Sequence, residues 1–197
     1  LISTKNYEKW LKNNWSSIKE IDISYSSFFG KSKLKKFLER FFYSLKNKKI
    51  KKELPLSLGG FGVNVVGYAS YSLGIGEDCR STFNALRYVG IKTNLIDFSP
   101  SNLQKRIDIE SSSFIVSEAK YPVSIFCLTP EEFLRYVLND RSNSLKDKYL
   151  IGYWPWELTR WPKVWELANE YIDEIWVSSK FIYDSISPTT NKPVKVM

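Results

Sequence analysis

The chain has 197 residues, of which 43% are hydrophobic and 25% are charged, a composition typical of a folded domain rather than a disordered segment. No apolar run reaches the roughly 20 residues that a membrane-spanning helix needs. The sequence has no histidine, which excludes histidine-ligated zinc and Ser–His or Cys–His nucleophile pairs. We interpret the two cysteines, Cys79 and Cys127, as buried small hydrophobic residues in a reducing compartment.

Charge divides the chain into two parts. Residues 1–57 contain 14 Lys and Arg against 5 Asp and Glu, whereas residues 58–197 contain 15 against 16. Pro55 and three nearby glycines interrupt the chain where the charge changes. We therefore predict a basic helical appendage at 1–57, or a linker from a preceding domain, followed by a nearly neutral domain at 58–197.

Six apolar residues of the appendage recur at the spacing of one helix face: Leu34, Phe37, Leu38, Phe41, Phe42 and Leu45. Lysines surround this face between residues 31 and 52. Such a helix can lie on an anionic membrane surface, or it can dock on a protein neighbour while its lysines remain in water. Both interpretations stay open. No nucleic-acid-binding motif accompanies the charge, so we expect no nucleic-acid partner.

The second part alternates predicted strands with predicted helices. Strands are expected at 63–68, 92–97, 114–116, 123–127, 149–153, 174–177 and 194–197. Helices are expected at 77–89, 130–138, 161–171 and 180–186, and a loop at 69–77 precedes the first of them. Strands separated by helices need crossover connections, so the alternation predicts an α/β fold, a Rossmann-like doubly wound parallel sheet with helices on both faces.

A glycine-containing segment follows the first predicted strand: Gly74, Ile75, Gly76 and Glu77. Ligands of such sheets bind at the carboxyl ends of the strands, where free amides at a helix start favour phosphate oxygens. The third glycine of a dinucleotide fingerprint is replaced by Cys79, and the lysine of a P-loop is absent. A plain tight turn, with Glu77 bonded to the first helix amides, is the alternative.

A tryptophan-rich segment follows the strand predicted at 149–153. Trp154 and Trp156 flank a proline, and Glu157 follows them directly. Indole faces beside a carboxylate can hold a sugar ring, because its CH groups stack on the ring while its hydroxyls donate to the carboxylate. The alternative is that both indoles pack under the loop and Glu157 caps the next turn.

Four segments together resemble the N-terminal half of a family 4 (group 1) glycosyltransferase with the GT-B fold. They are VNVVGY at 63–68, SLGIGEDCRSTFNALRYVGI at 72–91, IGYWPWEL at 151–158 and DEIWVSSKF at 173–181. The resemblance covers about 135 residues, and the last two segments are its most specific part. It implies a retaining enzyme that uses a nucleoside-diphosphate sugar and needs no metal or other cofactor.

The resemblance also implies roles for individual residues. Gly74, Ile75, Gly76 and Glu77 match the loop that contacts the donor diphosphate, and Thr129 lies at a second strand end facing the same cleft. Trp154, Trp156 and Glu157 fall where many relatives have a histidine beside the reacting sugar. Because this chain has no histidine, the catalytic role is assigned to Glu157, and acceptor binding to both tryptophans and Thr129. Helix capping is the alternative role of Thr129.

In enzymes of this type a second Rossmann-like domain binds the donor, and its residues are absent from this sequence. The resemblance therefore implies the acceptor-side domain of a transferase that moves a sugar to a hydroxyl of a glycan or lipid-linked acceptor, inactive by itself. Such enzymes commonly build bacterial surface polysaccharides or glycoconjugates at the cytoplasmic face of the membrane, which the basic segment 31–52 would fit. A non-catalytic glycan- or partner-binding module, and a generic nucleotide-binding domain, remain the alternatives.

Overall fold

A computed structural model describes residues 61–99, 106–107, 109–139 and 142–197. The appendage predicted at 1–57, its apolar helix face and the boundary at residue 57 lie outside the described residues. Within these ranges, no helix combines the length and the apolar character needed to cross a bilayer. Residues 162–167 group with a compact unit separate from the one that contains the sheet.

Strands and helices alternate along the described chain. The strands are β1 (Gly62–Gly67), β2 (Lys92–Asp97), β3 (Val123–Cys127), β4 (Tyr149–Tyr153), β5 (Glu174–Val177) and β6 (Val194–Val196). The α-helices are α1 (Gly74–Tyr88), α2 (Pro130–Asn139) and α3 (Lys180–Ile186). 3₁₀ helices occupy Glu110–Phe114, Lys163–Glu170 and Ser187–Thr189.

The strands form one parallel sheet in the order β2-β1-β3-β4-β5-β6. The predicted parallel α/β sheet is therefore confirmed, and its topology is compatible with a Rossmann-like fold. The chain leaves β1 for β2 on one side and later returns to β3 on the other. The carboxyl ends of β1 and β3 thus flank a topological switch point, the place where ligands bind in sheets of this kind.

The two faces of the sheet are covered by different helices. Val63 and Val65 of β1 pack in the same buried cluster as Phe83 of α1. On the opposite face, Phe126 of β3 contacts Phe133 of α2 with ring centroids 4.9 Å apart. We call the first surface the α1 face and the second the α2 face. Burial of each such large side chain stabilises the fold by about 1.5–3 kcal/mol.

Helix α1 begins three residues earlier than the sequence pattern predicts. Leu73 has extended backbone angles (φ −132°, ψ 147°), and the helix starts at Gly74. The sequence pattern assigned residues 74–76 to the loop because glycine is a poor helix former in helix interiors. In the first turn this preference matters less, because residues there need fewer intrahelical hydrogen bonds. The helix ends at Tyr88, one residue before the predicted limit, and Gly90 follows with φ of +80°.

The strand predicted at 114–116 is wrong. Residues Glu110–Phe114 form a 3₁₀ helix, and Ile115 makes only an isolated bridge to Leu95 of β2. The Val116 amide donates to the Leu95 carbonyl at 2.8 Å, so the chain touches the edge of the sheet and then leaves it. A short apolar triplet is compatible with either outcome, and only the neighbouring strand decides between them.

Candidate functional site

The candidate site lies at the carboxyl edge of the sheet, where the loop after β1 leads into α1. The loop turns tightly, because the Tyr71 amide donates to the Tyr68 carbonyl at 3.1 Å and the Leu73 amide to the Tyr71 carbonyl at 2.9 Å. These bonds place the start of α1 directly beside the end of β1. The predicted diphosphate-contacting residues thus form the first turn of a helix rather than a loop.

The two glycines of this turn have different surroundings. A Cβ atom at Gly76 would lie 2.6 Å from the Tyr68 carbonyl oxygen and 2.8 Å from that of Tyr71, so this glycine permits close packing of helix on loop. A Cβ atom at Gly74 would meet no described residue within 4 Å. The residue that precedes the helix, Leu73, makes no side-chain hydrogen bond to its amides. The helix start therefore has space beside Gly74 and no side-chain cap, which is compatible with anion binding.

Glu77 acts on the loop through Arg80. Its carboxylate accepts two hydrogen bonds from the Arg80 guanidinium, the shorter of 2.7 Å, and a longer one of 3.4 Å from Ser81. The same guanidinium donates to the carbonyls of Ala69 at 2.8 Å and Tyr71 at 3.2 Å. The proposed capping bond from Glu77 to the helix amides is therefore absent. Glu77 instead orients the Arg80 guanidinium, which holds the loop beneath the first turn through its hydrogen bonds to the loop carbonyls.

Asp78 and Tyr153 are candidate residues that the sequence interpretation missed. Asp78 is half-buried on α1, and burial, followed by the neighbouring charge of Glu77, raises the pKa of its carboxyl. Tyr153 is half-buried at the end of β4, where burial and then the charge of Asp78 raise the pKa of its phenol. The start of α1 thus faces the end of β4. The acidic pair at 77–78 was visible in the sequence, but its neighbour on β4 was not.

Both cysteines are buried free thiols beneath α1, as predicted. Hydrogen bonding with Cys127, followed by burial, raises the pKa of the Cys79 thiol well above its ordinary value. Cys127 in turn contacts the Thr82 hydroxyl, with Sγ and Oγ1 3.7 Å apart. The Cys79 thiol therefore stays protonated near neutral pH, and both cysteines are buried core residues.

Asp97 at the end of β2 holds the β1 loop from the other side. One carboxylate oxygen accepts from the Ser70 amide at 3.0 Å, and the other accepts from Arg106 at 3.2 Å. The side chain of Asp97 is largely buried, whereas that of Arg106 is mostly exposed. The carboxylate is thus used to fix the loop that precedes α1.

Arg135 of α2 joins the loops on the α2 face. Its guanidinium lies 4.0 Å from the ring centroid of Phe98 and 3.3 Å from the Tyr68 hydroxyl, and it also pairs with Glu132 and the Ser99 carbonyl. Burial, followed by hydrogen bonding with Glu132, raises the pKa of Tyr68, so its phenol stays neutral. This network connects the loops that follow β1 and β2 to helix α2 at the switch point.

Thr129 occupies the capping position of α2. Its Oγ1 accepts from the Glu132 amide at 3.3 Å, and its carbonyl accepts from the Phe133 amide at 2.8 Å. The structure thus favours helix capping, the alternative role, over acceptor binding, because the hydroxyl is already engaged.

The two tryptophans after β4 pack as a cluster. Trp154 is fully buried and stacks on Trp161 with centroids 5.9 Å apart, while Gly152 leaves room for its indole. Trp156 is half-buried, lies edge-on to Trp161 and donates from Nε1 to the Arg160 carbonyl at 3.0 Å. Packing, the alternative interpretation, therefore applies to Trp154, whose ring has no exposed face for a sugar. Glu157 is exposed and makes no hydrogen bond or ion pair within the described ranges, so it does not cap the next turn.

The structure places the predicted residues at one edge of the sheet but divides them between its faces. The amides of 74–76 belong to α1, whereas Trp154 contacts Phe133 of α2 with centroids 6.4 Å apart. Strand β3 separates the ends of β1 and β4, a spacing of about 10 Å. Tyr153, rather than Trp154, lies on the face of the sheet that α1 covers.

Comparison of the chain with family models, with curated proteins and with solved structures gives no match. In the part of the chain that the structure describes, no three residues among Cys, Asp and Glu cluster in a way that could hold a metal ion.

Proposed function

We propose that residues 58–197 form the acceptor-side domain of a retaining glycosyltransferase. The reaction would transfer a sugar from a nucleoside-diphosphate sugar to a hydroxyl acceptor, with the donor-binding half supplied by a further GT-B domain. The proposal joins the four-segment resemblance to a single structural observation, the open and uncapped helix start at Gly74 beside the switch point.

The first turn of α1 can contribute to phosphate binding in one specific way. The amides of 74–76 and the helix dipole favour an anion at this terminus by about 0.3–1 kcal/mol when it is exposed. Asp78 follows this turn and its carboxylate opposes an anion there, whereas the charge of Glu77 is balanced by its pair with Arg80. The Arg80 guanidinium is engaged with Glu77 and the loop carbonyls, so it adds no further positive charge for a phosphate. Tight diphosphate binding therefore requires cations from outside this domain, as expected for half of a cleft.

Glu157 retains its proposed catalytic role on the basis of its exposure and lack of a partner. An exposed carboxylate can accept a hydrogen bond from a sugar hydroxyl without losing an internal bond. Trp156 retains its proposed acceptor contact, since its ring is only half-buried. An acceptor brought to the edge by these residues would approach the donor from the β4 side.

The dinucleotide-binding alternative has less support. Asp97 stands at the end of β2, where a dinucleotide-binding domain uses an acid to hold the ribose hydroxyls. Here both of its oxygens are engaged, one by the Ser70 amide and one by Arg106. A ribose would have to displace bonds that fix the loop.

Nucleotide-sugar binding to the chain tests the proposal. Titration of the wild-type protein with UDP-glucose and GDP-mannose, followed by NMR, is expected to show weak binding of at least one of them. The Gly74→Ala variant places a methyl group where the phosphate approaches, and we expect at least about threefold weaker binding from the steric loss alone. Asn84→Ala, on the exposed side of the same helix, is the matched control.

Two results would contradict the proposal. One is the absence of binding by both sugar nucleotides together with saturable binding of NAD. The other is equal binding by the wild type and the Gly74→Ala variant, which would place the ligand away from the helix start.

A further inference from the structure

Among the described residues, helices cover the α1 face of the sheet over only part of its width. Helix α1 packs on β1, β2 and β3. The β5-α3-β6 crossover runs in the same direction across the sheet as β3-α2-β4, so a right-handed connection puts α3 on the α2 face. Burial agrees with this, because Ile175 and Val177 of β5 are fully buried while Trp176 between them is only half-buried. On the α1 face, no described helix covers β4–β6.

Aromatic side chains form the floor of this open region. Tyr149 and Tyr153 of β4 are half-buried on the α1 face, and Trp176 pairs with Tyr153 in the register of β4 and β5. Two-residue alternation brings the three rings to the same side.

The ion pair between Glu174 and Lys195 orients the aromatic side chains of this floor. Glu174 accepts from the Trp176 Nε1 at 2.6 Å, from the Tyr149 hydroxyl at 3.0 Å and from the Lys195 Nζ at 2.9 Å. Burial opposes its charge, but these three hydrogen bonds lower the pKa of its carboxyl below the ordinary value. The indole of Trp176 is thus held in one orientation by a carboxylate that stays ionised.

The flank of α1 forms a wall beside this floor. Asp78 and Thr82 lie one turn apart on this flank of the helix, and Thr82 contacts Cys127 at the end of β3 with Sγ and Oγ1 3.7 Å apart. Floor and wall therefore define a groove that runs from the helix start along β4–β6. We call it the α1–β4 groove, formed by Asp78, Thr82, Tyr149, Tyr153, Trp176 and Lys195.

We propose that the α1–β4 groove binds a neutral oligosaccharide; its identification as the acceptor glycan rests on the proposed function. Oriented aromatic rings stack on the CH faces of sugars, and the interspersed hydroxyl and carboxylate oxygens accept from sugar hydroxyls. The charges of Glu174 and Lys195 cancel, which leaves Asp78 to disfavour a polyanion.

A protein segment fits this groove less well. The side chain of Lys195 is 59% exposed, and Asp78 is half-buried, so an apolar helix covering the floor would remove both charges from water. A hydroxyl-rich chain instead replaces the water that these groups lose with its own hydrogen bonds.

The test is oligosaccharide binding by the full chain without any nucleotide. Isothermal titration uses the neutral oligomers maltohexaose, cellohexaose and mannohexaose, with a hyaluronan hexasaccharide as the anionic probe. We expect saturable binding of a neutral oligomer that is at least about tenfold weaker in Trp176→Leu, because loss of an aromatic anchor removes most of its contact energy. Tyr88→Ala removes an aromatic ring that is 93% exposed at the far end of α1 and should bind like the wild type.

A second measurement covers the case in which Trp176→Leu fails to fold. In the wild-type protein, the indole N–H resonance of Trp176 should shift during the titration, while that of buried Trp154 should not. Trp156→Phe should weaken oligosaccharide binding less than Trp176→Leu does, because Trp156 lies outside the α1–β4 groove.

The proposal is overturned if none of the neutral oligomers binds, if hyaluronan binds more tightly, or if Trp156→Phe rather than Trp176→Leu abolishes binding. The last result would indicate that the glycan binds beside Trp156 instead of in the groove, and it would not contradict the proposed transferase. Loss of sugar-nucleotide binding in Gly74→Ala is a separate readout, so the two proposals can fail independently.

Discussion

The packing of α1 on the β1 loop can be tested with two alanine substitutions in one helical turn. Gly76→Ala places a methyl group 2.6 Å and 2.8 Å from the carbonyl oxygens of Tyr68 and Tyr71. These are backbone atoms, and Arg80 holds the second of them, so the loop cannot move away at low cost. Overpacking of this kind destabilises a fold by about 1–3 kcal/mol.

Gly74→Ala provides the matched control, because its methyl group meets nothing within 4 Å. Replacing an unstrained glycine with alanine stabilises a protein by about 0.4–1 kcal/mol through the unfolded state. The two variants should therefore differ by about 1.5–4 kcal/mol in the free energy of unfolding. Urea denaturation followed by tryptophan fluorescence and circular dichroism measures this difference.

In thermal unfolding, each kcal/mol corresponds to about 2–4 °C for a chain of this size. Equal midpoints for Gly76→Ala and Gly74→Ala would refute the close approach of helix and loop. A loss of stability in Gly74→Ala would instead show that the space beside Gly74 is filled.

Three further outcomes follow from the structure. Thr129→Ala should lower the free energy of unfolding by about 0.5–2 kcal/mol through loss of the helix cap, with Thr129→Ser close to wild type; an unchanged stability would contradict the capping role. Burial raises the folded-state pKa of Asp78, so its ionisation opposes folding and the stability it contributes falls as pH rises through that pKa. Asp78→Asn should accordingly be more stable than wild type at pH 7 and similar to it at pH 3 in urea titrations. Gly152→Ala, whose methyl group would collide with the Trp154 indole, should lower the free energy of unfolding by about 1–3 kcal/mol, and a wild-type unfolding midpoint would exclude that contact.

The sheet could be predicted because its strands are short apolar runs bounded by glycines and polar residues. β2, β3, β4 and β5 have the predicted limits, and α3 matches its predicted range as well. The largely apolar runs of β3 and β4 are typical of strands buried on both faces, which parallel sheets require. The strand predicted at 114–116 was also inferred from apolar residues. That prediction was wrong because an apolar triplet beside an edge strand needs a neighbour to become a strand.

The candidate site was predicted only in part. The helix start at Gly74 and Gly76 could be found because glycines mark places where a backbone approaches another group. Helix capping by Thr129 was also named from the sequence, as the alternative role, and the structure shows it. The role of Glu77 could not be predicted, because its partner Arg80 becomes a neighbour only when the helix forms. Asp78 was passed over beside Glu77 because neither position by itself shows which carboxylate faces the sheet.

Apolar periodicity and chain punctuation are local properties, and from them the sequence determined the strands, the helices and the parallel class of the sheet. Only the tertiary structure decided which side chains at the carboxyl edge share a face. Tyr153 and Trp154 are adjacent in the chain, yet one lies on the side of α1 and the other packs against Phe133 of α2. Successive strand residues point in opposite directions, and which direction is covered depends on crossovers that join distant segments.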